Sequence, residues 1–264
     1  MLFSTPVTIP AATWQITYDD RLLMLGSCFT DHIARQLEQY YLRVVHNPDG
    51  TLYNPVSVAR HLTKERTEQC EVVILTFGTA WVYVDKANDA VVDNCQKRPA
   101  SDFLRQRLTV NEIVNLWKPL LEQYVNHRFL FTVSPIRHQK DGLHENQLSK
   151  AILLLAIDEL VKVAPERIAY FPAYEILMDE LRDYRFYASD MFHPSQTAID
   201  YIFERFAATY LLSPATRHAM QELHQLWLDR QHRPIHTQSD ENQHFQSALQ
   251  QRVQQLQVTY PWIA

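Results

Sequence analysis

The run Glu71-Val72-Val73-Ile74-Leu75-Thr76-Phe77 constrains this chain more than any other stretch. It is apolar at nearly every position and lacks the alternation of a half-exposed strand. Such a strand is covered on both faces, as the central strands of a parallel sheet are. Shorter apolar runs of the same kind occupy residues 22–25, 42–46, 128–133 and 167–171. Segments of helical periodicity separate them. Residues 31–41 set Ile33, Leu37 and Tyr40 or Tyr41 on the face of Phe29, and residues 55–67 group Val58, His61 and Leu62. Residues 110–126, opened by Thr109, turn Ile113, Leu116, Trp117 and Leu120 inward, with Pro119 as a kink. Residues 147–163 are apolar along Ile152, Leu153, Ala156, Leu160 and Val161; residues 173–182 and 196–211 complete the set. Strands alternating with helices give right-handed parallel crossovers. The expected fold is α/β, a three-layer α/β/α sandwich around a parallel sheet of about five strands.

Three segments stand outside this alternation. Residues 1–20, with Pro6, Pro10, Trp14 and Tyr18, read as an extended lead-in packed outside the sheet, with a short edge strand near 3–9. Trp81-Val82-Tyr83-Val84 is a second short run that Val91-Val92 closes into a hairpin, and residues 97–107 read as a loop insertion bordering the site. Residues 213–264 are rich in glutamine, and Pro234 divides them into two helical pieces. In the second piece Phe245, Leu249, Val253 and Leu256 form a narrow stripe, suited to self-packing or to a dimer contact. The organisation is thus a domain of residues 1–212 with a C-terminal helical extension of residues 213–264.

Composition removes several classes of function. A net charge of −5 over 264 residues, with no long basic run, argues against a nucleic-acid surface. No apolar run approaches the ~18 residues of a membrane span, and the N-terminus lacks a leader pattern, so a cytoplasmic protein is expected. Cys28, Cys70 and Cys95 have no metal-binding spacing and read as reduced thiols, so neither metal nor cofactor is expected. The chain has only four glycines, where average usage of ~7% would supply about 18. Gly26, Gly50, Gly78 and Gly142 each follow a strand-like run, at the rim where α/β sheets bind ligands.

The chemistry-bearing residues fall on that rim. In Gly26-Ser27-Cys28-Phe29 a strand stops at a glycine and a helix begins. Ser27 there is either a helix N-cap or a nucleophile near the positive end of a helix. Cys28, its neighbour, is expected to point elsewhere as a packed thiol. In Tyr187-Ala188-Ser189-Asp190-Met191-Phe192-His193-Pro194-Ser195, a carboxylate and an imidazole share one short loop ahead of a helix. A serine needs an imidazole to take its proton, and the imidazole needs a carboxylate to fix its tautomer. His46 and His138 end or follow strands and are either substrate contacts or ordinary loop histidines. A metal site from His138, His144, Asp190 and His193 finds no support in their spacing.

Taken together, the two motifs resemble the GSCFA-domain family, which is placed in the SGNH (GDSL-like) hydrolase superfamily. Asn47-Pro48-Asp49-Gly50-Thr51-Leu52-Tyr53-Asn54-Pro55, Thr76-Phe77-Gly78-Thr79-Ala80-Trp81-Val82 and Ser134-Pro135-Ile136-Arg137-His138 add to the resemblance, which covers about residues 1–212. Thr30 stands where the family has alanine. The resemblance implies a flavodoxin-like sheet of order 2-1-3-4-5, with Ser27 as nucleophile, His193 as base and Asp190 as its orienting acid. It implies hydrolysis of an acyl or acetyl ester of a carbohydrate or small metabolite through an acyl-enzyme. The alternatives are an acyltransferase with the same triad, or a non-catalytic binding or scaffold protein. The backbone N–H groups of Ser27 and Gly78 are expected to face the oxyanion. The superfamily's Gly-x-Asn-Asp block is Gly78-Thr79-Ala80-Trp81 here, and Ala80 has no side-chain donor. Asn54 is the favoured replacement, with Asn47 and Thr79 as the others. Asn47, Tyr53, Thr79, Trp81, His138 and Phe192 are the expected substrate contacts, with Arg137 beside them. The aromatic ones would stack on a sugar or close a small acyl pocket, while Trp81 equally suits core packing.

Overall fold

The computed structural model describes residues 4–93, 98–233 and 239–263. In chain order the first elements are β1 (Arg21–Gly26), α1 (Cys28–Gln39), β2 (Arg43–His46), α2 (Pro55–His61), α3 (Lys64–Thr67) and β3 (Val72–Phe77). A small inserted sheet follows, β4 (Trp81–Asp85), β5 (Ala90–Val92) and β6 (Phe103–Arg107). Then come α4 (Val110–Gln123), β7 (Arg128–Val133), α5 (Leu143–Val161), β8 (Ile168–Phe171) and α6 (Ala173–Glu175), which runs on as a π-helix over Ile176–Leu181. The chain closes with α7 (Gln196–Tyr210), α8 (Pro214–Gln231) and α9 (Asp240–Thr259).

The main sheet has the order β2-β1-β3-β7-β8, and every pairing is parallel. Counting its own strands, that is the expected 2-1-3-4-5. β3 is central and buried throughout, and its side chains divide between two cores. Val72 and Ile74 join Phe29, Ile33 and Leu37 of α1 with Ile202 and Phe206 of α7. Val73, Leu75 and Phe77 join Val58 of α2, Trp117 of α4 and Leu153 and Ile157 of α5. Two apolar layers on one strand explain why its sequence does not alternate.

Several expectations need correction. No strand occupies residues 4–9, and Phe3 lies outside the described residues. Val7 is instead tied to the end of the fold: its N–H donates to Glu180 Oε2 at 2.9 Å and its carbonyl accepts from Arg205 Nη2 at 2.7 Å. The helix expected over 55–67 is two, α2 and α3. Residues 103–107 form strand β6 rather than loop, pairing antiparallel with β4 from Trp81↔Arg107 to Asp85↔Phe103. Leu104-Arg105-Gln106-Arg107 is polar because β6 is an edge strand, and charge on an edge hides the strand signal. The expected hairpin forms, with Tyr83↔Val92 and Val84↔Val91 in register. Ion pairs fasten this insertion to the body: Arg105 to Asp141 at 2.5 Å, Arg107 to Glu145 at 2.6 Å and Arg60 to Asp93 at 3.0 Å.

The C-terminal helices pack on the domain. Leu223, Leu226, Leu256 and Ile263 are buried in the α1 core, with Leu249 and Val253 against it. Trp262 Nε1 donates to Tyr41 O at 2.8 Å. Cys95 and Pro234 lie outside the described residues.

Candidate active site

The corner after β1 is dictated by Gly26. At its φ of +148° a Cβ would sit 2.2 Å from the Thr76 carbonyl oxygen, so β1 approaches β3 there only as glycine. Ser27 follows and serves as the N-cap of α1, its Oγ accepting from Phe29 N at 3.3 Å. The same Oγ donates to Ser134 Oγ at 3.0 Å, at the end of β7. Ser134 is held in turn by its N–H on Phe77 O at 2.9 Å. The cap and the cleft-facing hydroxyl are thus one side chain in one rotamer.

The Asp190–His193 loop is ordered by its own backbone. Ala188 N donates to His193 O at 2.8 Å and Met191 N to Ala188 O at 2.9 Å, with Met191 in the left-handed region at φ 64°. Asp190 Oδ1 accepts from His193 N at 3.0 Å and from Phe192 N at 2.9 Å, while Oδ2 meets His193 Nδ1 at 2.5 Å. The two backbone N–H groups and the imidazole hold the Asp190 carboxyl down at about 2. An ionised Asp190 keeps the proton of neutral His193 on Nδ1 and leaves Nε2 as the acceptor. The loop is pinned to the β7 side by Arg137, whose N–H donates to Phe192 O at 3.2 Å. The Arg137 guanidinium lies 5.2 to 5.7 Å from the ring centres of Tyr187, Phe192 and Tyr184.

Ser27 and His193 line one cleft of about 490 Å³. Tyr53, Asn54, Thr79, Trp81, Arg137, His138 and Phe192 line it too, as expected for rim residues. Asn54 caps α2, its Oδ1 accepting from Ser57 N at 2.9 Å. Among the described residues no hydrogen bond engages its Nδ2. Thr79 Oγ1 is spent on Ser149 Oγ at 3.0 Å and on Trp81 N at 3.1 Å. Trp81 is not core: Arg105 stacks on its ring at 3.7 Å. His138 is pushed down to about 3, first by burial and then by the Lys150 charge, and its Nε2 has no partner among the described residues.

Two expectations fail against this geometry, that for Asn47 and that for the oxyanion N–H groups. Asn47 is no substrate contact. Its Oδ1 accepts from Gly26 N at 2.9 Å and its Nδ2 donates to Asp31 Oδ1 at 2.8 Å, bracing the corner from behind. The N–H groups of Ser27 and Gly78 do not face the cleft. Ser27 N donates to Thr76 O at 3.3 Å, continuing the β1–β3 ladder, and Gly78 N donates to Tyr53 O at 2.8 Å. Cys28 packs against the α1 core, as expected of a packed thiol, and also borders the cleft; burial pushes its thiol up, so it stays protonated and weakly nucleophilic. Of its two expected readings, His46 takes that of an ordinary histidine paired in the fold, meeting Asp31 at 2.8 Å. No group of three potential metal ligands gathers among the described residues, and no described helix is long and apolar enough to cross a membrane.

One residue went unread in the sequence. Lys150, in the second turn of α5, is 1% exposed and donates to Gly78 O at 2.6 Å and to Ser134 O at 2.7 Å. Burial pushes its amine down to about 7.

A five-stranded parallel sheet with a serine at the end of its first strand, and an Asp-x-x-His loop opening into the same cleft, defines an α/β protein with its candidate site at the carboxyl edge of the sheet. A sequence model of the GSCFA family matches residues 21–69 and 59–206. The chain belongs to the GSCFA family. Solved structures match this chain at low similarity. A family 3 carbohydrate esterase from Clostridium thermocellum is 12% identical with a TM-score of 0.44, over 77% of this chain and 98% of its own. A mutant acetyl-xylooligosaccharide esterase from Geobacillus stearmophilus is 10% identical with a TM-score of 0.49, over 74% and 95%. A lipase/acylhydrolase from Enterococcus faecalis is 15% identical with a TM-score of 0.45, over 76% and 96%. No curated protein gives a significant match.

Proposed function

We propose that the protein is a serine-dependent ester hydrolase acting through an acyl-enzyme. The observation that carries this reading is the shared cleft. The Ser27 hydroxyl and an imidazole already ordered by Asp190 open into it from loops more than 160 residues apart in sequence. Ser27 Oγ attacks the ester carbonyl carbon while His193 Nε2 takes its proton. The tetrahedral intermediate collapses, and His193 returns the proton to the leaving alcohol. Water then repeats the sequence on the acyl-enzyme, releasing the acid and restoring Ser27. Among the described residues Ser27 Oγ is hydrogen-bonded to Ser134 Oγ and Phe29 N and not to His193, so attack requires the hydroxyl to turn from Ser134 and the two cleft walls to bring His193 Nε2 to it.

Asn54 lines the same cleft with its Nδ2 unengaged among the described residues, and in this reading it serves as the side-chain donor to the developing oxyanion, the role that the Asn of Gly-x-Asn-Asp fills in the superfamily. The first turn of α1 supports it, because helix geometry leaves the Cys28 N–H without an intrahelical acceptor. Tyr53, Trp81 and Phe192 give the cleft aromatic walls suited to the acyl or acetyl ester of a carbohydrate or small metabolite. Acyl transfer would differ only in the acceptor that replaces water. The test is p-nitrophenyl acetate hydrolysis together with fluorophosphonate labelling. Ser27→Ala should abolish both, and His193→Ala should lower both by orders of magnitude with the fold intact. Labelling that persists in Ser27→Ala and disappears in Cys28→Ala would move the nucleophile to Cys28. A wild-type protein that neither hydrolyses nor labels would leave a binding protein.

A further inference from the structure

The buried ammonium of Lys150 has no part in the triad, yet it lies directly behind it. Three loops converge on the rim: those after β1, β3 and β7. Ser27 forms the first, Gly78 opens the second and Ser134 opens the third. Lys150 Nζ reaches up from α5 to the carbonyls of the latter two, 2.6 Å from Gly78 O and 2.7 Å from Ser134 O. Ser134 is also the residue whose hydroxyl receives the Ser27 proton at 3.0 Å. The space beside Gly78 is tight, since a Cβ there would stand 2.9 Å from Tyr53 O and 3.5 Å from Ser27 Cβ.

Burying an ammonium is costly unless it is paired. Among the described residues no carboxylate lies within ion-pair distance of Nζ. The groups that face it are few. Asp141 precedes α5 and is already joined to Arg105 at 2.5 Å. The Cys28 thiol is held protonated by burial, and His138 stays neutral above about pH 3. The Tyr174 ring offers its face at 5.6 Å. The positive charge is therefore held by two carbonyls and left largely uncompensated. A negative charge forming on the substrate at Ser27 would compensate it across a water-poor interior.

We infer that Lys150 is a positioning residue for this reaction: as an ammonium it clamps the Gly78 and Ser134 loops on either side of Ser27 and places a buried positive charge behind the developing oxyanion. This rests on the reading of Ser27 as nucleophile. Its action is indirect, through the two carbonyls and the field, so it should act on the chemical step rather than on substrate affinity.

The experiment measures kcat and KM for p-nitrophenyl acetate from pH 5 to 10 in wild type, Lys150→Met and Ser27→Ala. Burial holds the amine near 7, so wild-type kcat should fall on the alkaline side as Lys150 loses its proton. Lys150→Met should lower kcat by about 10- to 100-fold, with KM within about threefold, and should lose that alkaline limb. Urea unfolding supplies a second readout that needs no active variant. Because the folded amine titrates below the unfolded one, the unfolded chain binds the extra proton between about pH 7 and 10. Wild-type stability should therefore rise with pH across that window while kcat falls. A Lys150→Met enzyme with wild-type kcat and an unchanged profile overturns the inference. If that variant does not fold, a wild type with a flat alkaline profile overturns it equally. Activity that survives Ser27→Ala overturns the nucleophile itself, and the role of Lys150 falls with it.

Discussion

Replacing Asn54 by aspartate separates two jobs held by one side chain. Oδ1 caps α2 through Ser57 N at 2.9 Å, and Nδ2 is left for the cleft. Asparagine and aspartate are about equal as N-caps, so Asn54→Asp should keep stability within about 0.5 kcal/mol. The same change exchanges the donor for an oxygen, and one lost oxyanion donor typically costs about 2.7–4 kcal/mol of transition-state stabilisation. The kcat for p-nitrophenyl acetate should therefore fall by about 10²- to 10³-fold with little change in KM. Asn54→Ala should show both effects, the same kinetic loss plus about 0.5–2 kcal/mol of lost stability from the missing cap. Urea unfolding followed by circular dichroism measures one quantity and initial rates the other. If Asn54→Asp keeps more than about a third of wild-type kcat, Asn54 is a cap and nothing more. The oxyanion would then rest on the helix N-terminus.

Two other changes test the frame of the site. Gly26→Ala puts a methyl 2.2 Å from Thr76 O at a backbone angle hostile to side chains. It should cost about 2–5 kcal/mol in urea unfolding and remove activity, and a loss below about 1 kcal/mol would show that the corner relaxes freely. Arg137→Ala removes the cation held among Tyr184, Tyr187 and Phe192. It should cost about 1–2 kcal/mol and quicken amide exchange in residues 188–193, with kcat down by about tenfold; unchanged exchange there would mean that the loop is held by Asp190 alone.

The parts legible in the sequence are those where local chemistry and fold agree. The Gly26-Ser27 corner could be read because a strand, a glycine and an amphipathic helix follow one another without a gap. The Asp190–His193 loop could be read because acid and base are three residues apart and need no distant partner to be ordered. The sheet order came from family resemblance, since five apolar runs carry no record of their neighbours. Asn47 misled because both of its amide atoms are used in the interior, on Gly26 and Asp31, and nothing local announces that. The N–H groups of Ser27 and Gly78 misled because their acceptors, Thr76 O and Tyr53 O, belong to other segments. Lys150 did leave a signal that went unused. It sits three residues before Leu153 and seven before Ile157, on the stripe of α5 that faces the core. A lysine on a buried stripe must find acceptors, so its place there was itself a pointer to a polar site.

The insertion β4–β6 divides the protein into parts that can change at different rates. Trp81, Tyr83, Val92 and Asp93 supply one wall of the cleft from this small sheet, whereas Ser27 and His193 come from the main domain. Val82 anchors the wall in the core of the body, with Val84 and Val91 packed beside it, and the pairs Arg105–Asp141, Arg107–Glu145 and Arg60–Asp93 tie its outer side. New side chains, or a longer turn, can be tried on that wall without disturbing Gly26, Lys150 or the packing of β3. Under the reaction proposed above, selection for a different ester would act on that wall while Ser27 and His193 stay fixed, so that one chemistry could serve many substrates.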